Sequence, residues 1–198
     1  MPRLFIAVPI SKTSKEIIVK NVLQNPVVKM PDIRWISENN LHITLKFLGE
    51  VPIRKVQLVK EIVQKSGLSH DSFKIQLKDS GVFPNKRTPR VLWIGIQPPD
   101  ALCRLQNDLE KLAFDQGFEK ENRLFQPHLT LGRLSDNGHE IAIESLDTVI
   151  QTVKEIHFPP FVVDQIQLIE STLTPQGPLY HTIYSQNLKN MLISVQNN

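Results

Sequence analysis

The chain has a single cysteine, Cys103, among its 198 residues. An internal disulfide is thereby excluded. With neither a Cys-x-x-Cys pair nor a Cys/His ligand cluster, the composition points to a reducing compartment, the cytoplasm. An excess of one charge is also lacking: 23 Lys and Arg stand against 20 Asp and Glu, a formal net charge of +3. So slight a balance is unsuited to the salt-sensitive grip of an architectural DNA binder and fits transient contact with a short or terminal polyanion. Long hydrophobic runs are missing too. The apolar opening Leu4 to Ile10 is interrupted at Pro9 and followed by Ser11 and Lys12, too brief for a signal peptide or a membrane span. No membrane partner is expected. No Gly/Ser-rich linker divides the chain, and 40% hydrophobic residues suffice for one large domain or for two lobes sharing a core.

What is present is an alternation of strand-like and helix-like segments. Leu4 to Val8 reads as a buried strand, and Lys15 to Leu23, with Ile17, Ile18 and Val22 apolar, as a short helix closed by Pro26 and Pro31. A short strand at 33–36 leads through the turn signal Asn39-Asn40 into Leu41 to Leu48, which alternates apolar and polar residues and stops at Gly49. Val56, Val59, Ile62 and Val63 repeat at helical spacing. Strands follow at 73–77 and 91–96, separated by the turn-rich stretch Gly81 to Pro89. Asp100 after two prolines starts the clearest helix, whose Leu102, Leu105, Leu109 and Leu112 form one apolar stripe with Cys103 packed at its flank. The second half repeats the scheme: a strand at 125–134, a helix bearing Ile141, Leu146, Val149 and Val153, then strands at 161–169 and 179–184 around the turn Thr174 to Pro178, with a frayed end at Gln196-Asn197-Asn198. Several strands are joined by connections too short for a parallel crossover, so the fold class is α+β, with antiparallel sheets and helices packed on one face.

Within this scheme one pattern occurs twice. His42-Ile43-Thr44-Leu45 and the three residues after it align with His128-Leu129-Thr130-Leu131 and its continuation, His, Thr and two leucines matching in register. On a strand His42 and Thr44 share one face while Ile43 and Leu45 share the other, and the same holds for His128, Thr130, Leu129 and Leu131. A pseudo-twofold axis relating the halves would bring the two His-Thr faces to one cleft. Two imidazoles across a bound phosphate suit general acid and base catalysis, since the free side chain titrates at about 6.5. The hydroxyls of Thr44 and Thr130 would donate to its non-bridging oxygens. A single His-x-Thr on a strand is ordinarily structural, but packing has no reason to choose it twice on matching faces. Zinc fits poorly, because each motif supplies one good ligand and no further His, Cys or carboxylate is patterned nearby. No metal or other cofactor is expected.

With these residues in view, the chain resembles the 2H phosphoesterase superfamily, and within it the RNA 2',3'-cyclic phosphodiesterases historically called 2'-5' RNA ligases. The resemblance covers nearly the whole length. It rests on Arg3 to Ala7, Arg34-Trp35, Asn40 to Glu50, Gly81 to Pro84, Pro89 to Trp93, Phe125 to Leu131, and Ile169-Glu170-Ser171 with Gly177 to Tyr180. It implies a single bilobed domain over residues 1–198, a pseudo-twofold duplication in which two antiparallel sheets face a central groove with helices outside. It implies metal-independent hydrolysis of an RNA terminal 2',3'-cyclic phosphate to a 2'-phosphomonoester. It further gives His42 the role of proton donor to the leaving 3'-oxygen and His128 that of the base; the residues alone leave those roles open.

The resemblance also carries Phe47 and Arg133, five residues beyond the two histidines, into substrate binding: Phe47 to stack on a terminal base, Arg133 to pair with a phosphate oxygen. Strict alternation would turn both away from the groove, so their inclusion requires a bulge or a curled strand end, which Gly49 and Gly132 could permit. Lys86, Arg87 and Arg90 flank a turn and are candidates to follow an RNA backbone, although such charge runs are ordinarily just solvated. Trp35 and Trp93 read as core residues, and His70, His139, His157 and His181 as bystanders. The expected partner is RNA with a 2',3'-cyclic phosphate end or a small cyclic-phosphate nucleotide, met by a monomer. Two competing functions remain: ligation of the cyclic phosphate to a 5'-hydroxyl, which the same histidines allow by microscopic reversibility, and RNA-end binding without catalysis, which would have no need of both histidines.

Overall fold

The protein is described from a computed structural model covering residues 1–28, 30, 33–134, 143–175 and 177–189. Pro31, His139, Ile141, Gln176 and the terminal Gln196-Asn197-Asn198, each given a place from the sequence, lie outside the described residues. The elements run β1 (Arg3–Pro9), α1 (Lys12–Ile18) continued by a π-helical turn at Val19–Leu23, β2 (Ile33–Trp35), a 3-10 turn at Glu38–Asn40, β3 (His42–Glu50), α2 (Ile53–Ser69) and β4 (Phe73–Phe83). There follow β5 (Val91–Gln97), α3 (Asp100–Asp115), β6 (His128–Leu134), α4 (Ile143–Lys154), β7 (Phe161–Val163), β8 (Gln165–Thr174) and β9 (Gly177–Asn187). The α+β reading holds, with four α-helices against antiparallel strands. The expected turn at Gly81 to Pro89 is shorter than the sequence suggested, because β4 continues through Phe83. Gly81 is part of that strand, and a Cβ there would lie 2.6 Å from the Trp93 ring. The glycine marks a close approach, not a turn.

The strands form one curled antiparallel sheet in the order β7-β4-β5-β6-β3-β1-β8-β9, with β2 added beside β6. It divides at its middle, where β3 and β6 meet through the single pair Ile43 and Leu129. The two expected sheets are the halves on either side of that pair. With β2 set aside, each half of the chain opens strand, helix, strand, helix and then passes a strand to the other lobe: β4 pairs with β5, and β8, with β9 at its outer edge, pairs with β1.

Alternation decides which face of the sheet is covered. Leu4, Ile6 and Val8 of β1, Ile43 and Leu45 of β3, Leu92 and Ile94 of β5, and Leu129 and Leu131 of β6 are buried in one apolar cluster with Ile18 of α1, Val59 and Val63 of α2, Leu102, Leu105 and Leu109 of α3, and Leu146, Val149 and Val153 of α4. In α3 the stripe closes on Ala113, which is fully buried, and Leu112 is only half-buried. The opposite, concave face carries a small second cluster of Phe5, Ala7 and Ile169 with Tyr180 packed on it. β1 is therefore buried on both faces, which explains its unbroken apolar run.

Candidate active site

β3 and β6 carry the same departure from regular pairing. Along β1 the partners pass from Ile6 and Lys46 to Ala7 and Thr44, leaving Leu45 as an extra residue. Along β5 they pass from Leu92 and Gly132 to Trp93 and Thr130, leaving Leu131 extra. Each is a β-bulge at the fourth motif position, and past a bulge the facing of the strand inverts. Two consecutive residues, Leu45-Lys46 and Leu131-Gly132, are accordingly buried, and the next, Phe47 and Arg133, emerge exposed on the concave face. The bulge needed to turn Phe47 and Arg133 to the face of the histidines is present in both strands, at Leu45 and Leu131, ahead of Gly49 and Gly132.

The side chain displaced inward differs between lobes. Lys46 is buried, its Nζ donating to Glu110 Oε1 at 2.6 Å and to the Glu119 carbonyl at 2.8 Å. At Gly132 the same space belongs to Ile33 of β2, whose Cγ2 a Cβ would overlap. Sequence reading overlooked Lys46, and a lysine in an otherwise apolar inward position was the available signal.

Ile43 and Leu129 are both fully buried, so the residues flanking them face the groove. Extending the antiparallel register by one residue sets His42 across from Thr130 and Thr44 across from His128. The site thus straddles the local twofold relation between the lobes. In each ring Nδ1 lies against the carbonyl two residues back: Asn40 O at 2.6 Å from His42 and Gln126 O at 2.7 Å from His128. A carbonyl only accepts, so Nδ1 carries the proton and Nε2 is left to exchange one. Nε2 of His42 is 3.0 Å from Thr44 Oγ1, a hydroxyl able to donate to the neutral ring or accept from the charged one.

Aromatic rings hold both imidazoles. Phe5 lies 4.8 Å from His42 between centroids, Tyr180 meets His42 edge-on at 5.3 Å, and Phe5 also touches Phe47 at 5.8 Å. In the other lobe Phe83 meets His128 edge-on at 5.0 Å and packs on Trp93 at 5.1 Å. Trp93 therefore belongs to the groove wall, whereas Trp35 packs against the main core. Phe5, Phe83 and Tyr180 had no signal of role in their spacing, since they come from three separated segments. Asn40 Nδ2 donates to Pro178 O at 2.8 Å, which ties the β8–β9 hairpin bearing Tyr180 to the turn that orients His42.

Burial pushes the His42 pKa down to about 4, with the charges of His128, Arg133 and Lys15 adding to it and the Asn40 carbonyl opposing. Burial also lowers His128, again against its carbonyl partner and together with Arg133. Tyr180 is raised by burial and partly restored by Arg133 and Arg3. Arg133 thus acts electrostatically on three groove side chains. In the free protein both imidazoles are neutral at pH 7, and a bound phosphate would reverse the local sign of charge.

The remaining sequence candidates have other partners or are exposed. Lys86 is engaged by Asp147 of α4, the Arg90 amide donates to Phe83 O, and Arg87 is exposed. His70 meets Asp108 at 3.0 Å. His157 is exposed, as is His181 opposite Glu170 on the β8–β9 ladder. Burial and Asp100 raise the Cys103 thiol, away from thiolate chemistry. Among the described residues no three His, Cys, Asp or Glu side chains gather as a metal-ligand set, and no helix is long and apolar enough to cross a membrane.

The family model for the 2'-5' RNA ligase superfamily matches residues 33–174. A Methanocaldococcus jannaschii protein named RNA 2',3'-cyclic phosphodiesterase is 39% identical over 181 residues, covering 91% of this chain and 98% of that protein. One of the same name from Thermotoga maritima is 32% identical over 193 residues, covering 96% and 98%. The crystal structure of E. coli LigT complexed with 3'-AMP superposes with a TM-score of 0.71 at 27% identity, covering 95% of this chain and 99% of that one.

Proposed function

The chain belongs to the 2'-5' RNA ligase superfamily, and from that footing we propose that it hydrolyses the terminal 2',3'-cyclic phosphate of RNA to a 2'-phosphomonoester, using His42 and His128 as acid and base without a metal. Relatives spanning nearly its whole length are named RNA 2',3'-cyclic phosphodiesterase, which makes it an enzyme of that type. The paired-imidazole mechanism rests on one observation: two histidines flanking the Ile43–Leu129 pair on the groove face, each with Nδ1 held by a carbonyl.

A cyclic phosphate seated between them would be attacked by water on one side while the ribose 3'-oxygen departs on the other. A neutral Nε2 takes the water proton as the new P–O bond forms, and the opposite imidazolium gives its proton to the 3'-oxygen as that P–O bond breaks. Thr44, Thr130 and Arg133 face the phosphoryl oxygens whose negative charge grows in the pentacovalent state. Phe47, exposed beyond the bulge, offers its ring to the terminal base. Burial by itself suits His42 to the base's role. The donor's role, which the resemblance assigns it, requires the bound phosphate to raise its proton affinity.

The test is an oligoribonucleotide ending in 2',3'-cyclic phosphate, incubated in EDTA with wild type, His42→Ala and His128→Ala, with 2'- and 3'-phosphate products resolved. Wild type yields the 2'-phosphate, and each variant loses at least about a hundredfold, the scale of one positioned acid or base. A requirement for divalent metal, or full activity in either variant, overturns the mechanism. A 5'-hydroxyl acceptor added to the same assay measures the reverse ligation, and wild type that binds the end but leaves it intact would be the non-catalytic binder.

A further inference from the structure

Beyond Phe47, at the edge of the catalytic groove, β3, the start of α2 and the segment after α3 enclose a cleft of about 390 Å³ lined by Phe47, Gly49, Glu50, Lys55, Phe118 and Glu119, among others. The described side chains leave it unfilled. Gly49 and Gly117, both at its wall, have φ of +67° and +77°, and a Cβ at either would meet nothing within 4 Å. Such backbone opens the wall to close approach. Lys55 Nζ sits 5.2 Å from the centroid of the half-buried Phe118 ring, whereas Lys46, also at the cleft, is neutralised by Glu110. Among the described residues lining this cleft, Lys55 is therefore the cation left to it, held on an aromatic surface.

We propose that this cleft is a subsite for the nucleotide immediately upstream of the RNA end, its base against Phe118 and the internucleotide phosphate at Lys55. The inference rests on the phosphodiesterase reading and adds to it a preference for RNA over mononucleotides. A 2',3'-cyclic phosphate occupies the 3' terminus, so the rest of the strand leaves the site in one direction only. Phe47 is common to the groove and the cleft, which makes the cleft the continuous route. Aromatic rings accept any base by stacking, and a cation follows the backbone. The carboxylates of Glu50 and Glu119 keep phosphate out of the cleft's interior and leave that space to the base.

The experiment compares kcat/KM for a nucleoside 2',3'-cyclic monophosphate, the dinucleotide and the trinucleotide with the same end. Wild type gains about tenfold or more from mono- to dinucleotide, the scale of one stacked base, and little more from the trinucleotide. In Phe118→Ala and in Lys55→Glu the di-to-mono ratio drops toward one, and salt sensitivity of the dinucleotide rate weakens in the lysine variant. Lys55 is only half-buried and bears on one ring, so its variant tests the subsite even if Phe118→Ala does not fold. A wild type that treats all three lengths alike, or variants that slow all three equally, rules the subsite out while leaving the phosphodiesterase reading intact. Wild type inert on every length sinks that reading and the subsite with it.

Discussion

The depressed imidazoles make a demanding prediction for the pH dependence of the rate. The proposed mechanism needs one charged and one neutral ring, and kcat/KM reports the free protein, where His42 sits at about 4 and His128 below its ordinary value. The kcat/KM profile is therefore a bell centred below pH 6.5, falling about tenfold per pH unit on its alkaline side. At pH 7 only about one His42 in a thousand is protonated in the free protein. Bound substrate changes this. A phosphate monoanion about 4 Å from an imidazolium stabilises it by about 4 kcal/mol at an effective dielectric near 20, which corresponds to about 3 pH units. The alkaline limb of kcat should then lie well above that of kcat/KM, near or beyond neutrality. Initial rates on a fluorescent cyclic-phosphate oligonucleotide between about pH 4 and 9, with kcat and KM separated, measure both limbs. Coincident alkaline limbs, or kcat/KM still rising through pH 7, would refute the reasoning, because the free rings would then not be held neutral by burial.

The same His42 gives stability a pH dependence. The folded chain binds that proton more weakly than the unfolded chain, so its contribution is complete above about pH 6.5 and is lost as pH falls toward 4, by about 2–3 kcal/mol. Urea unfolding at pH 7 and 4.5 should show that loss, and His42→Gln should remove it. Lys46→Met strands the Glu110 carboxylate in the interior and should cost about 3–5 kcal/mol in urea unfolding, with much of it recovered in the Lys46→Met/Glu110→Gln double variant. Gly132→Ala forces a Cβ against Ile33 and should cost about 1–3 kcal/mol by thermal unfolding, eased when Ile33→Ala is added. Equal effects in the presence and absence of Ile33 would locate the strain elsewhere.

By itself the sequence determined the α+β class and the strand placement of both motifs, and it proposed the pair His42 and His128, because alternation and repetition are local properties written in the order of residues. It also posed the right question about Phe47 and Arg133, whose inclusion demanded a bulge. Only the tertiary structure decided that the bulge lies at Leu45 and Leu131, since a bulge exists only relative to the neighbouring strand. Only packing moved Trp93 from the expected core to the groove wall beside Phe83, carried β4 through Gly81, and brought Tyr180 onto His42 from the far end of the chain. The depressed proton affinities likewise followed from how much water the fold removes from each ring. Local pattern is enough to say which residues share a face of a strand. Which distant strand meets that face, and how dry the meeting is, depends on contacts between residues the pattern does not relate.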